Sequence, residues 1–299
     1  MATELFVHIC DVQHGACGII MAPNGKVAMI DCGHNSETGW RPSVFLRHGL
    51  RVTTLNYLFI SNFDRDHLSD AAGFAEQGIH VETIVRNASP AAPTLRSIKQ
   101  AAGPIGAGME SALKMHETYW GPYQPFDQAM GGITSTTYCN SFGLTYPRFL
   151  GTNNLSMATF ITFGGIKFLF PGDLEKAGWK ALMLNPAFVA ESKHTEVLIA
   201  SHHGRTNGFC DEVFEHMKPQ VVVISDDGVQ YETQETVPDY RCVVLRDVGV
   251  AVTCDGENGE VKRRRVLTTR SDGHIVFRVT SDGKFYITTY PSASKQKAA

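Results

Sequence analysis

The stretch LNYLFIS, Leu55 to Ser61, is apolar almost throughout. A half-exposed strand alternates apolar and polar residues, whereas a strand without that alternation is covered on both faces. A chain built around such a strand needs layers on both sides of a sheet, which points to an α/β architecture. The same strand runs directly into NFDRDH, where Asn62, Asp64, Asp66 and His67 crowd together. Two carboxylates two residues apart repel each other, and solvent or a bound cation must compensate.

The rest of the chain supplies the other layers. LFVHIC, GIIMA and KVAMID are short apolar runs, with the turn signal APNG between the second and third. SVFLRHGL has helical spacing. LSDAAGFAEQG, Leu68 to Gly78, reads as a helix beginning after the acidic cluster. Residues 87–152 form an irregular insertion, with short helices expected around Leu95–Ala102 and Met109–His116, which either covers a cleft or is a loosely packed surface excursion. LSMATFITFGGIKFLFPGD reads as strand, Gly-Gly turn and strand, LEKAGWKALML as a helix, and TEVLIASHHG as a strand ending in paired histidines. DEVFEHMKPQVVVIS is a helix followed by a strand. Residues 240–290, from RCVVLRDVGVAVTCDG onward, read as β-hairpins, and the tail PSASKQKAA, 291–299, is expected to be disordered. The expectation is one α/β domain over residues 4–290, an αββα sandwich of two mixed sheets with helices outside.

Composition narrows the function classes. The chain is 43% hydrophobic and 19% charged, with a formal net charge of −3, which gives no general reason to expect nucleic-acid binding. The dense basic run KRRRV, Lys262 to Val266, fits an exposed edge strand as well as a phosphate contact. No apolar run approaches the roughly 20 residues of a membrane span, and the N-terminus lacks signal-peptide character. Seven scattered cysteines without a CxxC pair suit reduced thiols in the cytoplasm.

Four strands end in polar residues: one at Asp31, one at the acidic cluster, one at Asp173 and one at His202 and His203. Strand ends along one edge of a packed sheet pair face the same side, so Asp31, Asn62, Asp64, Asp66, His67, Asp173, His202 and His203 can converge. Carboxylate oxygens and imidazole nitrogens together suit zinc, manganese or iron, and the oxygen-rich balance leans toward manganese. The plain reading of each piece alone is a cap or turn former. The joint pattern argues for a site.

In these motifs the chain resembles the metallo-β-lactamase fold superfamily, and within it the nuclease-like domain of ComEC-type competence proteins and their soluble relatives. CDVQHGACGII and VAMIDCG match that family's opening strand motifs. NFDRDH matches its HxHxDH metal motif, and NNLSMATFITFGGIKFLFPGD, VLIASHHG and VVVIS follow in the family's order over Glu4 to Ser225. The resemblance implies that Asp66, His67, Asp173 and a histidine of the pair hold a divalent ion, with His202 favoured because it directly follows its strand. It implies a second, oxygen-only position on Asn62, Asp64 and Asp173, with Asn153 and Asn154 beside the substrate, and catalytic roles for Asp66 and Asp173.

The departures are Asn62 and Asp64 in place of two histidines, Ala16 in place of an aspartate, and YETQETVPDY without a histidine. The implied activity is hydrolysis of a phosphodiester (nucleic acid, nucleotide or phosphocholine-type ester) by a water activated by one or two ions of manganese or zinc, or of magnesium. The alternative is a metal-depleted pseudoenzyme that binds a ligand or partner. The oligomeric state stays open.

Overall fold

The computed structural model of this protein describes residues 4–119, 130–143 and 148–291. Fifteen strands are described: β1 Glu4–Ile9, β2 Gly18–Met21, β3 Val27–Ile30, β4 Thr54–Ile60, β5 His80–Arg86, β6 Thr134–Cys139, β7 Met157–Phe163, β8 Ile166–Phe170, β9 Val197–Ile199, β10 Val221–Ile224, β11 Val250–Thr253, β12 Val261–Arg264, β13 Val266–Thr268, β14 His274–Thr280 and β15 Phe285–Tyr290. They form a nine-stranded sheet, β12-β11-β15-β14-β1-β2-β3-β4-β5, and a six-stranded sheet, β13-β10-β9-β8-β7-β6. Both are mixed. β4 runs parallel to β3 and β5, while β1 is antiparallel to β2 and β14. In the second sheet β8, β9, β10 and β13 are parallel, and β7 is antiparallel to β6 and β8.

The strands that lack polar alternation are those with apolar layers on both sides. Tyr57 and Phe59 of β4 face the space between the sheets, and Leu58 and Ile60 face outward. Phe168 and Phe170 of β8 likewise face inward while Leu169 faces the opposite layer. The central layer closes through contacts such as Phe168 against Phe277 of β14, edge to face with ring centroids 5.3 Å apart. Helices Ala92–Ala102 and Ala107–Thr118 cover the outer face of the first sheet through Leu95, Met109 and Leu113. Helices Lys176–Met183, Pro186–Ser192 and Val237–Val243 cover the second through Trp179, Phe188 and Tyr240. The result is an αββα sandwich.

Local differences from the sequence reading have physical causes. The expected helix over Leu68–Gly78 is instead two single turns, Arg65–Leu68 and Gly73–Glu76, the first beginning inside the acidic cluster. A continuous helix would send the Asp70 N–H to the Asp66 carbonyl. Here the Asp70 N–H donates to the Cys32 carbonyl, and the Asp66 carbonyl accepts from Ala16. The stretch expected as β from Arg241 begins as the end of a helix, started by Pro238 in its first turn. The region 87–152 holds the two expected helices, longer than expected, and also strand β6. The basic run divides between two edge strands, Lys262 to Arg264 in β12 and Val266 in β13. Of the tail 291–299, all but Pro291 lies outside the described residues. Among the described residues no helix is long and apolar enough to cross a membrane.

Candidate metal centre

The strand ends named from the sequence meet at one edge of the sandwich. Asp31 directly follows β3, and its N–H still pairs with the Phe59 carbonyl of β4, 2.8 Å away. Its carboxylate accepts from the Ser61 N–H at 2.8 Å and from the Ser61 hydroxyl at 2.5 Å, and its Oδ2 lies 2.8 Å from His67 Nδ1. Asp31 is thus a support beneath His67, and it directs His67 Nε2 toward Asp173 Oδ1, 3.0 Å away. Asp173 enters on the loop after β8, with its N–H on the Ser156 hydroxyl at 3.0 Å.

The segment after β4 is gripped from two sides. Ala16 donates to the Asp66 carbonyl at 3.3 Å and Cys32 donates to the His67 carbonyl at 2.7 Å. A Cβ on Gly33 would lie 2.3 Å from the Asp66 carbonyl oxygen, so this approach requires glycine.

The two paired histidines take different places. Both have left-handed backbone, φ 50° at His202 and 54° at His203, a conformation that side chains other than glycine adopt rarely and chiefly where surrounding structure imposes it. His203 turns into the site. Its Nδ1 faces the Ser225 carbonyl at 3.1 Å, and its Nε2 lies 3.3 Å from Asp66 Oδ2 and 3.4 Å from Asp173 Oδ1, aligned for a hydrogen bond with neither. That nitrogen is buried without a hydrogen-bond partner. His202 points aside, its Nδ1 3.8 Å from Glu175. Of the two, His203 groups with Asp66, His67 and Asp173, while His202, favoured from the sequence, lies beside Glu175.

Asp66, His67, Asp173 and His203 therefore form a group whose potential ligand atoms all lie within 4.8 Å of one another. Three of the side chains are buried, and Asp66, 42% exposed, opens the group to solvent. Burial alone would push His67 down, but the carboxylates of Asp173 and Asp31 hold it well above the ordinary histidine value. His203 is likewise raised, by Asp173 and Asp66 against burial. Burial favours protonation of Asp173 and Asp66, yet the two imidazoles hold both carboxyls below their ordinary range. His202, where burial prevails, is lowered.

The remaining expected residues lie beside this group. Asn62 is buried, and its amide Nδ2 donates to Asp173 Oδ2 at 3.1 Å, to Asp64 Oδ2 at 3.0 Å and to Asn153 Oδ1 at 3.5 Å. Asn153 and Asn154 donate to Glu175 at 3.3 and 3.0 Å. Asp64 is paired with Lys99 and accepts from Thr152 Oγ1 at 3.0 Å. Lys99 and Thr152 are site residues that the sequence reading did not single out. A groove of about 990 Å³ lies elsewhere, on the outer face of β1, β14 and β15, and includes none of the four grouped residues.

No protein-family model matches this chain, and no curated protein matches it. Among solved structures, a mutant of the CmlA β-hydroxylase is similar over 93% of this chain and 54% of that one, at 9% identity and a TM-score of 0.49. The chain thus spans about half the length of that protein. A Parabacteroides distasonis protein assigned as a metal-dependent hydrolase is similar over 78% of this chain and 87% of that one, at 12% identity and a TM-score of 0.41. Neither likeness is close enough to carry an argument. The fold class rests on the strand order and the three apolar layers, which make the αββα sandwich of two mixed sheets that the resemblance to metallo-β-lactamase fold proteins implies.

Proposed function

We propose that this protein is a metal-dependent hydrolase acting on phosphodiester bonds, in nucleic acid, a nucleotide or a phosphocholine-type ester. The observation that carries the metal reading is the convergence of Asp66, His67, Asp173 and His203, whose ligand atoms lie within 4.8 Å of one another. Two imidazoles and two carboxylates are a donor set that zinc, manganese and iron all accept. With Asp64 paired to Lys99, the ligands left for an ion no longer lean toward manganese. The phosphodiester class is supported by the likeness of NFDRDH and HHG to the competence-type motifs.

A divalent ion held by these four residues would supply an acidified water and positive charge for an anionic phosphorus centre. The chain's own residues prepare the place. Asp31 and Ser61 fix the His67 ring, and the Ser225 carbonyl accepts from His203 Nδ1, so that in both rings Nε2 is the atom presented. The Asp66 carboxylate is the partly exposed member of the four and leaves the group open to solvent.

The test is to purify the protein without chelator, count bound metal per chain, and assay a panel of phosphodiesters with manganese, zinc and magnesium. Bound metal with hydrolysis of a panel member is the expected result. No binding at saturating metal overturns the reading. Metal without turnover favours a binding protein, the reading supported by an amide, Asn62, where related motifs carry a ligand histidine.

A further inference from the structure

We propose that Lys99 takes the place of a second metal ion, so that the centre holds one ion on Asp66, His67, Asp173 and His203 with a fixed ammonium beside it. The proposal rests on the metal reading above and concerns the position built from Asn62, Asp64 and Asp173. Every carboxylate oxygen on that side is engaged by the protein itself. Asp64 Oδ1 is paired with Lys99 Nζ and accepts from the Thr152 hydroxyl at 3.0 Å. Asp64 Oδ2 and Asp173 Oδ2 both accept from the Asn62 amide, at 3.0 and 3.1 Å. Asp173 Oδ1 is left facing His67 and His203, the other side of the same carboxylate.

The ammonium is built in. Lys99 projects from the helix Ala92–Ala102, its side chain is 16% exposed, and its Nζ also donates to Thr152 Oγ1 at 2.6 Å. Thr152 therefore bridges lysine and aspartate. Lys99 is half-buried, and burial lowers its ammonium pKa to about 8, so that it stays charged at neutral pH with Asp64 as its ion-pair partner. With the Asn62 amide turned the other way, three oxygens would face one another and a second cation would be needed to hold them. The donor orientation serves the two carboxylates and leaves Asn62 Oδ1 buried without a hydrogen-bond partner. The two hydrogen bonds leave the third N–H of the ammonium for an anionic oxygen of a substrate approaching the ion.

Native mass spectrometry of the full chain under excess manganese, and separately zinc, tests this. Wild type is expected to hold one ion. Lys99→Met keeps the length of the side chain and removes its charge. It should bind a second ion about tenfold or more tighter than wild type does, because Asp64 then lacks a cation. Lys99→Arg should stay at one ion. Two ions on wild type, a count that needs no variant to fold, would overturn the proposal while leaving the metal reading intact. Second-ion affinity unchanged in Lys99→Met would also overturn it. No ion on wild type would sink the metal reading and this proposal with it.

Discussion

At the scale of single residues, the His202–His203 pair shows what a motif can and cannot carry. Two adjacent histidines after a strand announce a ligand, but the choice between them depends on backbone torsions that no spacing reveals. Both lie at positive φ, and it is the second that turns its Nε2 to the acidic group. His203→Ala is therefore expected to lose bound metal by at least about tenfold in affinity, whereas His202→Ala keeps it; metal content after dialysis decides. Lys99 was illegible for another reason. It sits in a segment with no motif, and only the packing of its helix brings it to Asp64.

The titration behaviour gives a second expectation. His67 and His203, raised above 6.5, stabilise the metal-free fold fully below about pH 6.5, and that contribution is lost as pH rises through their folded values. Asp66 and Asp173, held below 3.8, contribute above about that pH and lose their contribution in acid. Chelated protein should show its highest Tm between about pH 4 and 6.5 and a declining Tm above it. Metal-loaded protein should not decline there, since the ion replaces the protons. A Tm of the chelated protein that climbs from pH 7 to 9 would contradict the assignment.

At the scale of elements, the strands were legible because apolar runs without alternation have few other places to go. β4 and β8 are buried on both faces, as their composition requires. Two helices were missed although their start signals were present. Asn185 caps the helix Pro186–Ser192 by accepting from Ala187, and Pro238 opens Val237–Val243. The broken helix after the acidic cluster was beyond local reading, because its cause is pairing with Ala16 and Cys32 in distant loops. That pairing makes a testable point. Gly33→Ala would drive a methyl into the Asp66 carbonyl, with backbone on every near side, and must displace the segment. The expected outcome is a folded protein with weakened metal binding, measured by circular dichroism alongside metal content. Unchanged affinity would show that the segment can yield without moving its ligands.

At the scale of the whole molecule, chain order and sheet order diverge. The first strand, β1, lies between β2 and the late strand β14, so the N-terminal sheet is completed only by residues from the end of the chain. A chain cut before His274 leaves β1 with an unpaired edge and removes Phe277 from the central layer. It is expected to be insoluble or unfolded by circular dichroism. Phe168→Ala, opening the same layer from the other sheet, should lower stability by about 3–5 kcal/mol in denaturant titration while leaving the fold recognisable.

The two edge strands β12 and β13 are separated in sequence by Arg265 alone, yet they belong to different sheets. One short strap of chain thus ties the two leaves of the sandwich along that margin. At the opposite margin, β5 and β6 are joined by the long segment that carries Lys99. Any breathing of the sandwich would then turn like a book on the strap as its spine, and would part the pages beside the lysine first.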